Sequence, residues 1–250
     1  MVEIKVLIAV PTYNECENIL QLCKRITQVL PNSDIVVLDD SSPDGTAEIV
    51  REIARSNPRV RLFSRNQKLG IGSAHKEAFR QAIACNADVL VTLDADLTHD
   101  PEDIPKLLDA LKVADVVVGS RFMRGGGLQD WTPIRRTLTH LGHIATKYLL
   151  RVPFDATGAL RAYRMTDLAV KLPEAPLHNG YPFLYQSLTW FVRHDSSVAE
   201  VPIVLTARAY GSSKMQTRDV LLGLLGLFKF ALMHRKSFRR YRVSRIGGKQ

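Results

Sequence analysis

The chain has 250 residues, of which 46% are hydrophobic, and a formal net charge of +9. This length can bury a full core and fits one domain, or one domain with an appendage. Its three cysteines, Cys16, Cys23 and Cys85, are unclustered and odd in number, which argues against a disulfide framework or a zinc site and favours a reducing compartment. Residues 1–5 lead directly into an apolar run, so we expect no signal peptide.

The positive charge is concentrated at the carboxyl terminus. Seven lysines and arginines lie between His234 and Gln250, a segment without acidic residues, and the rest of the chain is close to neutral. A basic segment on a neutral body favours an anionic surface, either nucleic acid or a membrane. Nothing in the sequence resembles a nucleic-acid-binding module, and the segment follows an apolar stretch. We therefore expect a membrane surface and no nucleic acid.

The first half of the chain alternates between predicted strands and helices. We predict strand 4–10, helix 17–29, strand 35–38, helix 46–56, strand 60–63, helix 71–84, strand 88–93, helix 102–111 and strand 115–119. Such alternation predicts an α/β fold with a mainly parallel central sheet and helices on both of its faces.

The second half is less regular. A glycine-rich loop at 124–127 precedes a predicted helix at 132–150, a strand at 159–163, a helix at 182–192 and a strand at 198–206. A polar loop at 208–214 leads to a last helix that starts at Asp219. We expect residues 1–215 to form one domain and residues 216–250 to form an amphipathic helix with a basic tail.

The apolar part of that last helix is short. Residues 220–233 span 14 positions, whereas a simple membrane-spanning helix needs about 20. With its cationic tail, the segment is typical of an interfacial helix that lies on a membrane surface. A terminal helix packed on the core is the alternative, and the two can occupy different faces of one helix.

Two carboxylates end one of the buried strands. Asp94 and Asp96 flank Ala95 directly after the strand at 88–93, and strand geometry points both side chains the same way. Two like charges this close raise each other's pKa unless a cation lies between them. Oxygen ligands at a strand end suit Mg²⁺ or Mn²⁺, which keep positions for substrate phosphates. An Asp-x-Asp pair alone is also compatible with a solvated turn.

Two other buried strands end in similar polar clusters. Strand 4–10 leads into Pro-Thr-Tyr-Asn-Glu at 11–15, and strand 35–38 leads into Asp-Asp-Ser-Ser-Pro-Asp-Gly-Thr at 39–46. Open α/β sheets bind ligands at the carboxyl ends of their strands. Together with Asp-Ala-Asp-Leu-Thr-His at 94–99, these segments resemble the inverting family-two glycosyltransferases with the A-type fold. Within that family they are most similar to the dolichyl- or polyprenyl-phosphate mannose synthases.

The resemblance implies a nucleotide-sugar-binding fold and a role for each matching residue. It assigns five residues to the nucleotide base and ribose: Pro11, Tyr13, Glu15, Leu38 and Asp40. It assigns the ribose, diphosphate and metal to Asp94, Ala95 and Asp96, with Thr98 as a further metal ligand where relatives have Gln or Ser. Helix capping is the alternative role for Glu15 and Asp40.

Four basic residues match phosphate-binding positions. Arg121 and Arg135 match arginines that contact the acceptor phosphate, to which a guanidinium fork is well suited. With Asp96 they are the predicted catalytic residues, although a surface ion pair is the alternative for either arginine. Arg208 and Lys214 match a loop that closes over the donor diphosphate, where cations offset charge on the leaving group.

The chain departs from the family pattern at two places. Residues 157–161 read Thr-Gly-Ala-Leu-Arg where relatives have Thr-Ser/Gly-Gly-Phe-Arg, and Gln186 replaces a glutamate. A hydroxyl acceptor needs a general base, which an amide is not. A phosphate monoester, with a second pKa of about 6, is already ionised and needs none. Gln186 therefore favours a phosphate acceptor and leaves the sugar open.

The resemblance implies an enzyme that transfers mannose from GDP-mannose to a polyprenyl phosphate, with inversion, as a peripheral protein at the cytoplasmic face of the membrane. Two alternatives stay open at this point. One is a glycosyltransferase that uses UDP-glucose or another UDP-sugar with a different lipid acceptor. The other is a non-catalytic partner subunit that binds a nucleotide sugar.

Overall fold

A computed structural model describes residues 4–208 and 217–233 of the chain. The strands are β1 Val6–Thr12, β2 Asp34–Asp39, β3 Val60–Ser64, β4 Val89–Thr92, β5 Val116–Ser120, β6 Gly127–Leu128, β7 Arg161–Arg164, β8 Val198–Pro202 and β9 Val204–Leu205. The α-helices are α1 Ile19–Val29, α2 Thr46–Ser56, α3 Ile71–Ala84, α4 Ile104–Ala110, α5 Pro133–Leu150, α6 Asp167–Lys171, α7 Pro182–Arg193 and α8 Thr217–Met233. Two 3-10 turns, Pro101–Asp103 and Leu172–Glu174, precede α4 and follow α6.

Seven strands form one central sheet in the order β3-β2-β1-β4-β7-β5-β8. Strands β1 to β4 pair in parallel, as do β5 and β8, whereas β7 is antiparallel to both of its neighbours, β4 and β5. Because β7 is inserted between them, β4 and β5 point the same way. The carboxyl ends of β1, β2, β4 and β5 therefore meet at one edge of the sheet. The predicted mainly parallel sheet is confirmed.

Helices cover both faces of the sheet. Successive residues of β1 alternate between two cores: Leu7 and Ala9 pack with α3 and α7, whereas Ile8 and Val10 pack with α1 and α4. All four side chains are fully buried. A strand covered on both faces is nearly continuously apolar, which explains why the sequence pattern located these strands well.

Some predicted elements differ from the structure. The strand predicted at 198–206 is two strands, β8 and β9, and the break follows Pro202, which has no amide hydrogen to donate to a neighbouring strand. The predicted glycine-rich loop contains β6, which pairs with β9. The short helix α6 was not predicted, because its five residues are too few to show a helical period.

The last helix has a buried face and an exposed apolar face. Leu227, Phe230 and Ala231 are buried, and the Phe230 ring lies 5.9 Å from that of Tyr185 on α7. Leu225 and Phe228, by contrast, are each more than half exposed. Within residues 4–208 and 217–233, no helix is both long and apolar enough to cross a bilayer. The predicted basic tail at 234–250 lies outside the described residues.

The α3–α7 contact contains a buried histidine whose ring nitrogens have no hydrogen-bond partner among the described residues. His75 stacks on Phe183 with the ring centroids 5.5 Å apart. Burial, helped by the charges of Arg161 and Arg65, lowers the pKa of His75 to about 3. The imidazole is therefore neutral in the folded protein, whereas the unfolded chain binds a proton below a pKa of about 6.5.

We expect this histidine to make the fold sensitive to acid. Because its folded pKa lies below its unfolded pKa, its contribution to stability is complete above about pH 6.5 and is lost as the pH falls. Between pH 7 and pH 5 the free energy of unfolding should fall by about 2 kcal/mol more in the wild type than in His75→Leu. Urea unfolding at both pH values measures this difference. His194→Leu, at an exposed histidine, is the control. If the free energy of unfolding falls equally in the wild type and in His75→Leu, or if His194→Leu reduces the fall as much as His75→Leu does, the prediction is wrong.

Candidate active site

A cleft of about 380 Å³ opens at the edge of the sheet where β1, β2 and β4 end. Its walls come from the loops after these strands, the start of α3 and residues 180–184. Eight of the residues predicted to bind the donor line this cleft: Pro11, Tyr13, Glu15, Asp40, Asp94, Ala95, Asp96 and Arg208. The structure therefore brings together side chains that are up to about two hundred positions apart in the sequence.

Hydrogen bonds between two loops fix the β1 side of the cleft. Asp39 accepts hydrogen bonds from the Thr12 hydroxyl at 2.9 Å and from the Ser42 hydroxyl at 2.5 Å. The Thr46 hydroxyl donates to Asp44 and accepts from the Glu15 amide at 2.9 Å. The carboxylates of Asp39 and Asp44 are thus occupied in holding the loops, and Glu15 is placed by its backbone.

Asp40 is held by a buried ion pair. Arg65 binds its Oδ1, and the Leu69 amide donates to its Oδ2 at 3.1 Å. Arg65 also donates to the Ser73 hydroxyl at 2.9 Å. Helix capping, the alternative role for Asp40, does not describe these contacts, because the carboxylate binds a guanidinium and a loop amide. The pair anchors the loop that leads into α3.

Close backbone contacts form another wall of the cleft. A Cβ atom on Gly70 would lie 2.6 Å from the Asn179 carbonyl oxygen, and one on Gly72 would lie 2.5 Å from that of His178. Gly70 also has a φ of +90°, which favours glycine. Lys68 lies 4.0 Å above the centre of the Tyr13 ring at the rim. Lys68 was not among the predicted site residues, because a lone lysine in a polar loop carries no specific signal.

The two carboxylates among the three predicted metal ligands differ in their surroundings. Asp96 accepts at Oδ1 from the Thr98 amide and hydroxyl, at 3.1 and 2.6 Å, and its Oδ2 lies 2.9 Å from Nε of Arg208. Asp94 accepts no hydrogen bond from the residues that the structure describes. Leu97, between Asp96 and Thr98, has a φ of +59°, a left-handed conformation that is uncommon outside glycine and occurs often at functional sites.

Burial and charge repulsion both act on this pair. Burial, followed by the negative charge of Asp96, raises the pKa of Asp94, and Arg208 opposes this shift. Ligand atoms of Asp94, Asp96 and His99 all lie within 4.8 Å of one another. Burial lowers the pKa of His99 to about 4, so its imidazole is neutral at pH 7. An unpartnered carboxylate, a second carboxylate and a neutral imidazole fit a divalent cation.

Arg121 is engaged in a buried ion pair. At the end of β5, its Nε and Nη2 donate to the two oxygens of Asp155 at 2.8 and 2.7 Å, and Nη2 also donates to the Thr157 hydroxyl at 2.6 Å. Asp155 is fully buried. Although burial alone would raise the pKa of Asp155, the charge and hydrogen bonds of Arg121 lower it below its usual value. Nη1 makes no hydrogen bond to the described residues.

Arg135 lies apart from the cleft lining. It is exposed at the start of α5, and its guanidinium lies 4.0 Å from the centre of the Trp131 ring. Trp131 donates to the Thr206 carbonyl at 3.2 Å, and the Thr206 amide donates to the Thr98 carbonyl at 3.2 Å. This chain of contacts connects Arg135 to the loop that carries the acidic pair.

Two other residues singled out by the sequence do not join the cleft. Leu38 is fully buried in the core below α3. Gln186 accepts from the His178 amide at 2.8 Å and lines a separate cleft between α7 and α8. Its position is therefore unsuited to a general base beside Asp94. Lys214 lies outside the described residues, and its assignment stays a prediction.

Comparison with known proteins identifies the class of protein. The model of glycosyl transferase family 2 matches residues 7–169. The chain is 36% identical over 212 residues to an undecaprenyl-phosphate mannosyltransferase of Micrococcus luteus, covering 84% of this chain and 87% of the relative. It is 37% identical over 220 residues to a polyprenol monophosphomannose synthase of Mycolicibacterium smegmatis, covering 86% and 83% of the two chains. The chain belongs to glycosyl transferase family 2, and it is a glycosyltransferase.

Solved structures share the fold. A glucosyl-3-phosphoglycerate synthase of Mycobacterium tuberculosis, in complex with Mn²⁺, UDP and glucosyl-3-phosphoglycerate, aligns with a TM-score of 0.64 at 21% identity over 94% of this chain and 81% of that chain. A mannosyltransferase of Pyrobaculum calidifontis, in complex with GDP-Man and Mn²⁺, aligns with a TM-score of 0.60 at 16% identity over 95% and 66%. The A-type glycosyltransferase fold predicted from the sequence is confirmed.

We expect the Arg121–Asp155 pair to be a large contributor to stability. Arg121→Gln leaves a buried carboxylate without its counter-charge, which should lower the free energy of unfolding by about 3–5 kcal/mol. Asp155→Asn should also destabilise, and the double variant should lose less than the sum of the two single losses. Denaturant unfolding of the four proteins measures the coupling.

The half-exposed pair of Arg25 and Asp100, 2.7 Å apart, is a matched control. Arg25→Gln should cost less than about 1 kcal/mol. If the double variant loses as much free energy of unfolding as the two single variants together, the side chains of Arg121 and Asp155 are not energetically coupled.

Proposed function

We propose that this glycosyltransferase transfers mannose from GDP-mannose to a polyprenyl phosphate, with inversion at the anomeric carbon. The observation that carries the proposal is the meeting of Asp94 and Asp96 with the nucleotide-side residues in one cleft at the carboxyl edge of the sheet. The two relatives, which are named for mannosyl transfer to undecaprenyl or polyprenyl phosphate, support the choice of sugar and acceptor.

The donor would lie along the cleft. The end that contains Tyr13, Glu15 and Asp40 suits the base and ribose, because Tyr13 offers a ring face and the carboxylates accept hydrogen bonds from hydroxyl or ring N–H groups. The other end contains Asp94 and Asp96, where the diphosphate would lie. Mg²⁺ or Mn²⁺ held there would supply electrostatic stabilisation of the leaving diphosphate.

Arg208 is suited to a second role at the diphosphate. In the structure it neutralises Asp96. Its guanidinium could instead bind the diphosphate oxygens, on which negative charge develops as the bond to the sugar breaks. The acceptor phosphate oxygen attacks the anomeric carbon, the bond from that carbon to the diphosphate oxygen breaks, and GDP leaves. Attack from the face opposite the leaving group inverts the configuration.

The acceptor needs no general base in this mechanism. A lipid monophosphate is already ionised near neutral pH, which agrees with the position of Gln186 in a different cleft. Arg121 and Arg135 are the proposed acceptor-phosphate contacts. Arg121 lies directly after β5 and keeps Nη1 as an N–H donor for a phosphate. Arg135 lies at the start of α5, and its exposed guanidinium offers further donors.

The helix α5 supports a peripheral membrane contact. Five large apolar side chains at three- or four-residue spacing are roughly half to three-quarters exposed: Ile134 at 75%, Leu138 at 57%, Leu141 at 55%, Ile144 at 49% and Tyr148 at 75%. Residues at this spacing share one face of a helix. The α8 residues Leu225 and Phe228 add exposed apolar surface, and α8 packs against α5. We place these two helices on the cytoplasmic face of the membrane.

The direct test measures transfer from radiolabelled GDP-mannose to polyprenyl phosphate in vesicles by the full-length protein. We expect lipid-linked mannose of inverted configuration, no product in EDTA, and restoration by Mn²⁺ or Mg²⁺. Asp96→Asn should lower kcat by about 100-fold or more, because a charge that stabilises the transition state is lost. Asp100→Asn, four residues further on, should keep most of the activity.

Other outcomes have definite meanings. Turnover unaffected by EDTA and by Asp96→Asn would overturn the mechanism. Faster transfer from UDP-glucose or another UDP-sugar would show that GDP-mannose is not the preferred donor. UDP-sugars are tested because structures with the same fold bind UDP as well as GDP-Man. Donor binding without turnover on any acceptor would identify a non-catalytic partner subunit.

The membrane contact has its own test. We expect Leu138→Glu with Leu141→Glu to reduce pelleting with anionic vesicles at least about fivefold, because the charges prevent insertion of the apolar face of α5. Transfer to a water-soluble short-chain acceptor should be retained. Val113→Glu, at a site 60% exposed outside α5 and α8, is the matched control and should pellet normally. Unchanged pelleting of the double variant would exclude α5 from the contact.

A further inference from the structure

We propose that His99, and not Thr98, is the third protein ligand of the cation held by Asp94 and Asp96, and that this imidazole makes the site select Mn²⁺ over Mg²⁺. The inference rests on the cation-dependent function proposed above, and it names a residue that the resemblance leaves without a role.

The position of His99 carries the inference. Its side chain is only 4% exposed, and one of its ring nitrogens lies within 4.8 Å of carboxylate oxygens of both Asp94 and Asp96. Its single polar contact among the described residues is a long one, 3.5 Å from Nδ1 to the Thr98 hydroxyl. A buried imidazole without a strong hydrogen bond leaves polar groups unsatisfied, and coordination of a cation would satisfy it.

Thr98 is committed to a different contact. Its hydroxyl donates to Asp96 Oδ1 at 2.6 Å and its amide donates to the same oxygen at 3.1 Å. These bonds close a turn around Asp96 and fix the direction of its carboxylate. Thr98 therefore acts as a positioning residue that orients a ligand, which is a common role beside metal sites.

A mixed ligand set has a consequence for metal choice. Mg²⁺ takes oxygen ligands, whereas imidazole nitrogen is a good ligand for transition metals. Two carboxylates with one imidazole should therefore favour Mn²⁺ between these two ions. Two carboxylates with a threonine hydroxyl would give an all-oxygen set without that preference.

The decisive measurement is pulsed EPR on the full-length protein with Mn²⁺ alone. Directly bound imidazole produces a nitrogen modulation of the Mn²⁺ signal, and we expect it in the wild type. The modulation should disappear in His99→Asn and persist in Thr98→Ala. His194→Asn, which removes a histidine that lines the separate cleft between α7 and α8, should leave it unchanged.

Titration calorimetry adds an independent readout. In His99→Asn the affinity for Mn²⁺ should fall about tenfold, whereas the affinity for Mg²⁺ should change by less than about threefold because no oxygen ligand is lost. A purely structural role for His99 would weaken both ions equally, and that result would overturn the inference.

The outcomes separate this inference from the proposed function. If the wild type binds Mn²⁺ and Asp96→Asn does not, but no nitrogen modulation is seen, the acidic pair holds the cation and the role of His99 is wrong. If the wild type binds no Mn²⁺, the inference and the metal-dependent mechanism both fail. Mannosyl transfer that requires a cation, with nitrogen modulation present, supports both.

Discussion

The repulsion between Asp94 and Asp96 is the constraint to which the rest of the site responds. Parallel strands bring both carboxylates to the edge where β1 and β2 also end, so the negative charge is concentrated at the mouth of the sheet. The chain compensates only in part, because Arg208 neutralises Asp96 while Asp94 accepts no hydrogen bond from the described residues. The remaining negative charge is the reason why we propose that the cleft binds a cation, and with it the phosphates of the donor.

Two buried arginine–carboxylate pairs support this edge from opposite sides. Arg65 holds Asp40 at the end of the cleft that we propose for the nucleotide, and Arg121 holds Asp155 at the end of β5. Each pair joins segments distant in sequence, and each is costly to break because a buried charge would be left alone. They connect the loops at this edge to one another, and such support keeps the side chains of a site in a defined geometry.

The sequence predicted the parts of the molecule that depend on local patterns. Apolar runs located β1, β2 and β4, and the clusters that follow them contain half of the residues that line the cleft. The antiparallel β7 was not predicted to lie between β4 and β5, because strand order depends on long-range packing. The partner of Arg121 was missed for the same reason, since Asp155 lies 34 positions away. Leu38 shows the opposite error: it borders a motif, but its side chain points into the core.

The close contact of Gly70 and Gly72 with residues 178–179 makes one wall of the cleft harder to displace than the other. On that side the backbone at Gly70 and Gly72 packs directly against the backbone of residues 178–179, so the two segments are closely packed. On the other side Arg208 is held to Asp96 by an ion pair. Widening of the cleft is therefore easiest where an electrostatic contact breaks. This ion pair is largely buried, so salt screens it only weakly, and the diphosphate that we propose to bind Arg208 is the more effective competitor for this guanidinium.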